Sequence, residues 1–182
     1  MRKKTFFQSN IARVMVPALC AAALSAAGSP AAKSLSDSEI LGIYIQVNAF
    51  DIETALLGRA QAKSESVRTL AGHVASDHLS VRQQAYALAG QCNVPIASPG
   101  ERAAVEHGKA MTQLLSLSGE SFDKAYVQDE VAFHRSAIEA VRTTLLPAAT
   151  CPALKAHFND VLPALEHHLA QTVAVERELS AH

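Results

Sequence analysis

From Ser36 onward, apolar residues recur at alternating three- and four-residue intervals through four long stretches. Nowhere does the chain alternate apolar and polar residues with the period of a strand. That pattern restricts the fold to packed helices, because a single apolar stripe along a helix is buried by laying it against other helices. Composition points the same way. Of 182 residues 49% are hydrophobic but only 5% aromatic, with no Trp, so an aliphatic and alanine-rich helical core is expected. The length suits one domain.

Start and stop signals divide the chain. Ser36-Asp37-Ser38-Glu39 is a capping box and predicts a first helix reaching about Ala62. Ser64 or Ser66 caps a second, which continues to about Ala89, before Gly90. QCNVPIASPG breaks the pattern, and Ser98, Pro99 and Glu101 open a short helix from about Pro99 to Leu117. A third long helix spans about Ser121 to Leu146 and is stopped by Pro147. Thr150-Cys151-Pro152 opens the fourth, which reaches almost to His182. Short, long and short connections predict two antiparallel hairpins joined by a crossover carrying the short extra helix. The fold class is therefore all-α, a ferritin-like four-helix bundle.

The cysteines test this topology. Cys92 follows the second helix and Cys151 lies in the last turn. With a crossover both fall at one end of the bundle; in a simple up-down bundle a helix length of ~37 Å separates them. A disulfide is thus compatible with the crossover alone, and would stabilise by roughly 3–4 kcal/mol in the chain-entropy model.

Residues 1–32 read as a secretory leader. MRKKTFFQSNIAR is basic, VMVPALCAAALSAAG is a short apolar run, and SPAA offers small residues for cleavage near Ala31 or Ala32. Leu19 stands where lipidation of Cys20 would need a small residue. No later segment reads as apolar enough to span a bilayer. Residues 33–182 form the expected bundle domain, exported to an oxidising, periplasmic setting. The leader carries Arg2, Lys3, Lys4 and Arg13 and no acid, so the 16 basic residues of the chain fall to 12 against 17 acidic ones. Without a basic cluster, nucleic acid and anionic lipid are excluded as partners, while oligomerisation stays open.

Each seam carries one polar side chain of a type that binds metals. The fourth helix reads Leu154, Phe158, Val161, Leu165, His168, Thr172, Val175; the third Val127, Val131, His134, Ile138, Val141, Leu145. The second reads Val67, Ala71, Val74, His78, Val81, Ala85, Leu88, and the first Ile43, Gln46, Phe50, Glu53, Leu57, Ala60. Counted from the turns, Glu53 and His78 are level, as are His134 and His168. Buried separately, each would need a partner. Three readings follow. In the first the four are ligands of one ion, and three nitrogens with one carboxylate suit zinc, copper or iron. Alternatively Glu53 orients core histidines without a metal, or exposed histidines fall on these seams by chance. Asp77, Glu130 and His167 are candidates for outer partners; His73 and Asp77 read as a solvated pair, and His107, His157 and His182 as surface residues. The Glu-x-x-His motif of di-iron bundles is absent. So are CxxC, a phosphate loop and a Ser-His-Asp order, which leaves nucleophilic catalysis without support.

The stretches DIETALLGRAQAKSESVRTLAGHVASDH, SLSGESFDKAYVQDEVAFHRSAI and LPALEHHLAQTVA resemble a bacterial exported family, domain of unknown function 4142. Its members are usually labelled predicted outer membrane proteins and are expected to adopt a ferritin-like bundle. The resemblance carries over to Glu53, Asp77-His78, His134 and His168-Leu169. The chain departs from it in His167 beside His168, and in the Glu130-to-Phe133 run before His134. The expected role is metal binding or stress-related metal handling. The alternative is a non-catalytic structural or interaction module with a buried His/Glu hydrogen-bond cluster and no metal.

Overall fold

In the computed structural model, which describes residues 34–181, all regular structure is helical. The expected leader, Cys20 and His182 lie outside the described residues. Helix α1 (Asp37–Gln61) starts at the capping box: the Glu39 amide donates to Ser36 Oγ and the Ser36 amide to Glu39 Oε2, at 3.3 and 2.8 Å. α2 (Glu65–Cys92) passes through Gly90 and ends at Asn93, whose left-handed backbone (φ 51°) closes the helix. α3 (Glu101–Leu115) is capped by Gly100 rather than Ser98. α4 (Gly119–Ala140) widens into a π-helical turn, Val141–Leu145, and runs on as α5 (Leu146–Ala148), so Pro147 lies inside the final turn instead of ahead of it. α6 (Pro152–Ser180) continues through Pro163 without interruption.

α1 packs on α2 and α4 on α6; the two hairpins meet through α2 against α6 and α1 against α4. Two buried acids fix their relative direction. Asp37, at the start of α1, accepts bonds from the Thr150 amide and hydroxyl and the Cys151 amide, at 2.7, 2.5 and 2.9 Å. Burial pushes its carboxyl up, but these bonds together hold it below the usual range. Asp123, in the first turns of α4, accepts the Lys63 and Ser64 amides just before α2, at 2.9 and 2.8 Å. The starts of α1 and α6 thus share one end, and those of α2 and α4 the other. That is the crossover topology, and Cys92 and Cys151 are joined by a disulfide with Cα atoms 5.7 Å apart. The crossover lies directly on α1, where a Cβ on Gly42 would come within 2.1 Å of the Ala97 carbonyl oxygen.

The core has apolar material at both ends. Toward the disulfide it is built from Ile40, Leu41, Ile45, Ala85, Leu88, Ile138, Leu154 and Phe158. Toward the other end Val67, Ala71, Phe122, Tyr126 and Val127 do the same. Between them lies a polar layer: Asn48, Asp51, His78, Glu130, His134, His168 and Thr172, all buried.

The expected seam of α1 is displaced. Its buried face is Leu41, Tyr44, Asn48, Asp51, Ala55 and Gly58, not the Ile43–Glu53–Ala60 row. The cause is that α1 is apolar almost all round. Its mean hydropathy of 1.3 meets the length and composition of a membrane-spanning helix, contrary to the expectation that no later segment would. More than half of that stretch is buried inside the bundle. A helix with apolar residues on every side offers period but no phase.

Candidate metal centre

Three helices each bring one imidazole to the polar layer. His78 comes from α2, His134 from α4 and His168 from α6, and their ring centroids form a near-equilateral triangle with sides of 5.6, 5.5 and 5.4 Å. One ligand atom from each lies within 4.8 Å of the other two. All three residues are buried, His134 completely.

Their outer bonds define which nitrogen is free. The Asn48 amide nitrogen donates to the Tyr44 carbonyl at 2.8 Å, which turns Asn48 Oδ1 toward His78 Nδ1 at 3.0 Å. An amide oxygen only accepts, so His78 carries its proton on Nδ1 and leaves Nε2 bare. His134 Nδ1 donates to the Glu130 carbonyl one turn earlier, at 2.9 Å, again leaving Nε2 bare. His168 is held the other way round: Nε2 donates to Asp77 Oδ2 at 2.9 Å and Nδ1 is bare. His134 Nε2 and His168 Nδ1 are buried with no hydrogen-bond partner. Burial lowers the pKa of both, with the Asp77 bond opposing this at His168, and so keeps both lone pairs available.

Carboxylates close the other side. Asp51 Oδ2 stands 3.0 Å from His78 Nε2 yet forms no aligned hydrogen bond. Glu130, 1% exposed, has neither carboxyl oxygen bonded, and Asp51, Glu130 and His134 form a second cluster with ligand atoms within 4.8 Å. Burial, with Asp51 beside it, holds the Glu130 carboxyl well above the usual carboxylate range. The fully buried Tyr126 hydroxyl faces Glu130. Its ring packs so close to α1 that a Cβ on Gly58 would lie 2.5 Å away.

Of the expected site residues, His78, His134 and His168 converge and Glu53 does not. Glu53 lies on the outer face of α1, 60% exposed, and pairs with His107 Nε2 at 2.9 Å. Asp51, two residues earlier, faces the layer in its place. His107, read as a surface residue, is mostly covered: it stacks on Phe50 with centroids 4.3 Å apart and ties α3 to α1. Of the candidate outer partners, Asp77 bonds His168 rather than His73, and Glu130 is buried beside His134. His157 is likewise buried, against Tyr44 Oη at 3.1 Å. His167 is exposed beside the centre, and neighbouring Glu166 pairs with Arg142 at the surface. Asn48 and Asp51 escaped the sequence reading, although both fall on the true α1 seam at three-four spacing.

A four-helix bundle with a crossover and a polar mid-layer is the ferritin-like class of fold. Within it, the chain belongs to the family described as a domain of unknown function (DUF4142), which matches residues 21–175. It is similar in fold to a solved Streptomyces coelicolor protein described as secreted and assigned to DUF305. That likeness has a TM-score of 0.67 at 16% identity, over 79% of this chain and 93% of that one. No curated protein matches the chain.

Proposed function

We propose that this is an exported protein that binds one divalent transition metal, zinc, copper or iron, inside its bundle. His78 Nε2, His134 Nε2 and His168 Nδ1 supply three donors and Asp51 the fourth; Glu130 adjoins them. The reading rests on one observation above the rest: three imidazoles have their N–H groups tied outward while two of the inward nitrogens find no partner. Ligand histidines are oriented in this way, by a carbonyl, amide or carboxylate on the second nitrogen. Export is supported by the leader-like N-terminus and by the secreted description of the DUF305 protein.

The metal-free alternative is favoured only by the short His78–Asp51 contact, which becomes an ion pair if His78 gains a proton. It leaves His134 Nε2 and His168 Nδ1 unpartnered in the core, where each such group is costly. Elemental analysis and calorimetric titration of chelator-stripped protein with zinc, copper and iron decide the matter. One tightly held ion per chain is expected; substoichiometric uptake of all three overturns the reading.

A further inference from the structure

We infer that the groove beneath α3 is the path by which the metal ion reaches the centre. This rests on the metal-binding reading and adds to it a route and an order of contacts. The groove encloses about 460 Å³ between α1, α3 and α4. Its inner end is Asp51, 2% exposed, with Oδ2 unpartnered and 3.0 Å from His78 Nε2. Half-buried Asp129 lies along the same wall, and His107, bonded to Glu53, stands at the outer rim. Among the described residues lining it there is no Lys or Arg.

A divalent ion gives up its water only where oxygen or nitrogen donors replace it. His107, then Asp129, then Asp51 provide that succession, and Asp51 Oδ2 hands the ion on to His78 Nε2, 3.0 Å away. The alanines Ala103, Ala110 and Ala132 keep the passage open. The other void near the centre serves poorly. It touches His78 and His168 but holds only about 50 Å³, is otherwise walled mainly by apolar side chains such as Val81, Val161 and Leu165, and its other polar lining, Asn48 and Asp77, bonds the outward nitrogens of those two histidines.

The test is stopped-flow loading of the stripped, disulfide-bonded chain with Co²⁺, followed by removal with excess chelator. Ala132 is exposed on α4, so Ala132→Trp fills the groove without entering the core. It is expected to slow loading and removal alike, by about 10-fold or more, at unchanged Kd. Asp129→Asn should slow loading by about 10-fold, the low end of electrostatic steering, and flatten its salt dependence. Ala164→Trp, at the exposed edge of the smaller void, should load at the wild-type rate. Wild-type rates in both groove variants, or slow loading in Ala164→Trp, overturn the route and leave the centre standing. A wild-type chain that takes up no metal removes the centre itself, and the route with it.

Discussion

His157 and His168 sit three turns apart on α6, both buried, and only the second qualifies as a ligand. His157 Nε2 meets the Tyr44 hydroxyl at 3.1 Å, and the two rings pack edge to face. A hydroxyl can donate or accept, so that imidazole is satisfied without a cation. His168 has one nitrogen on Asp77 and the other on nothing. Burial therefore does not separate a structural histidine from a binding one. The distinction is a lone pair that the protein orients but does not use.

The largest effect should come from exchanging the two. His168→Ala is expected to lower metal affinity by roughly 1000-fold, beyond the 10–100-fold typical of losing an outer partner. His157→Ala should leave affinity intact and cost about 1–3 kcal/mol of stability, through the unpaired Tyr44 hydroxyl. Competition titration and urea denaturation read the two quantities, and equal affinity losses would erase the distinction. Next comes Asp77→Asn. It swaps the carboxylate that accepts from His168 Nε2 for a neutral amide without removing a ligand, so affinity should fall by about 10–100-fold.

Acid sharpens the contrast further. Burial lowers the pKa of His134, His157 and His168, so the fold keeps them neutral where the unfolded chain, near pH 6.5, takes up protons. Their stabilisation is present above that pH and is lost as pH falls through the lowered values. Glu130 acts oppositely: its raised pKa lets the fold bind a proton first, and stability gained that way grows as pH drops toward the ordinary carboxylate range. Three imidazoles outweigh one carboxyl. The Tm of metal-free protein should fall by about 5 °C between pH 7.5 and 5.5, and more steeply in Glu130→Gln. A rising Tm that persists in Glu130→Gln would mean that the core welcomes a charged imidazole. The smallest effect is expected of Glu53→Gln, whose Kd for metal should equal that of wild type.

Three of the four seams were legible because α2, α4 and α6 carry polar residues on their outer faces, which fixes the phase of the apolar stripe. His78, His134 and His168 were readable for that reason. α1 lacks such contrast, and the choice between Asp51 and Glu53 amounts to one small rotation of a helix that is apolar on both candidate faces. Phe50 fell on the expected seam by its spacing, but what covers it is His107 of α3 rather than the bundle. His107 and His157 were misplaced for a related reason: what buries them lies far along the chain. The crossover was legible from connection lengths and from two cysteines that only one topology could bring together.

The twin acids at the helix starts carry a last implication. Asp37 belongs to the first hairpin and completes the turn of the second; Asp123 belongs to the second and completes the turn of the first. Each half of the chain thus holds the finishing piece of the other, and neither half alone can satisfy its own loop. The candidate donors are shared in the same way, Asp51 and His78 from one half, His134 and His168 from the other. Expressed as separate fragments, the halves should be loose individually and lock only on mixing, with the ion as a third participant in their reunion.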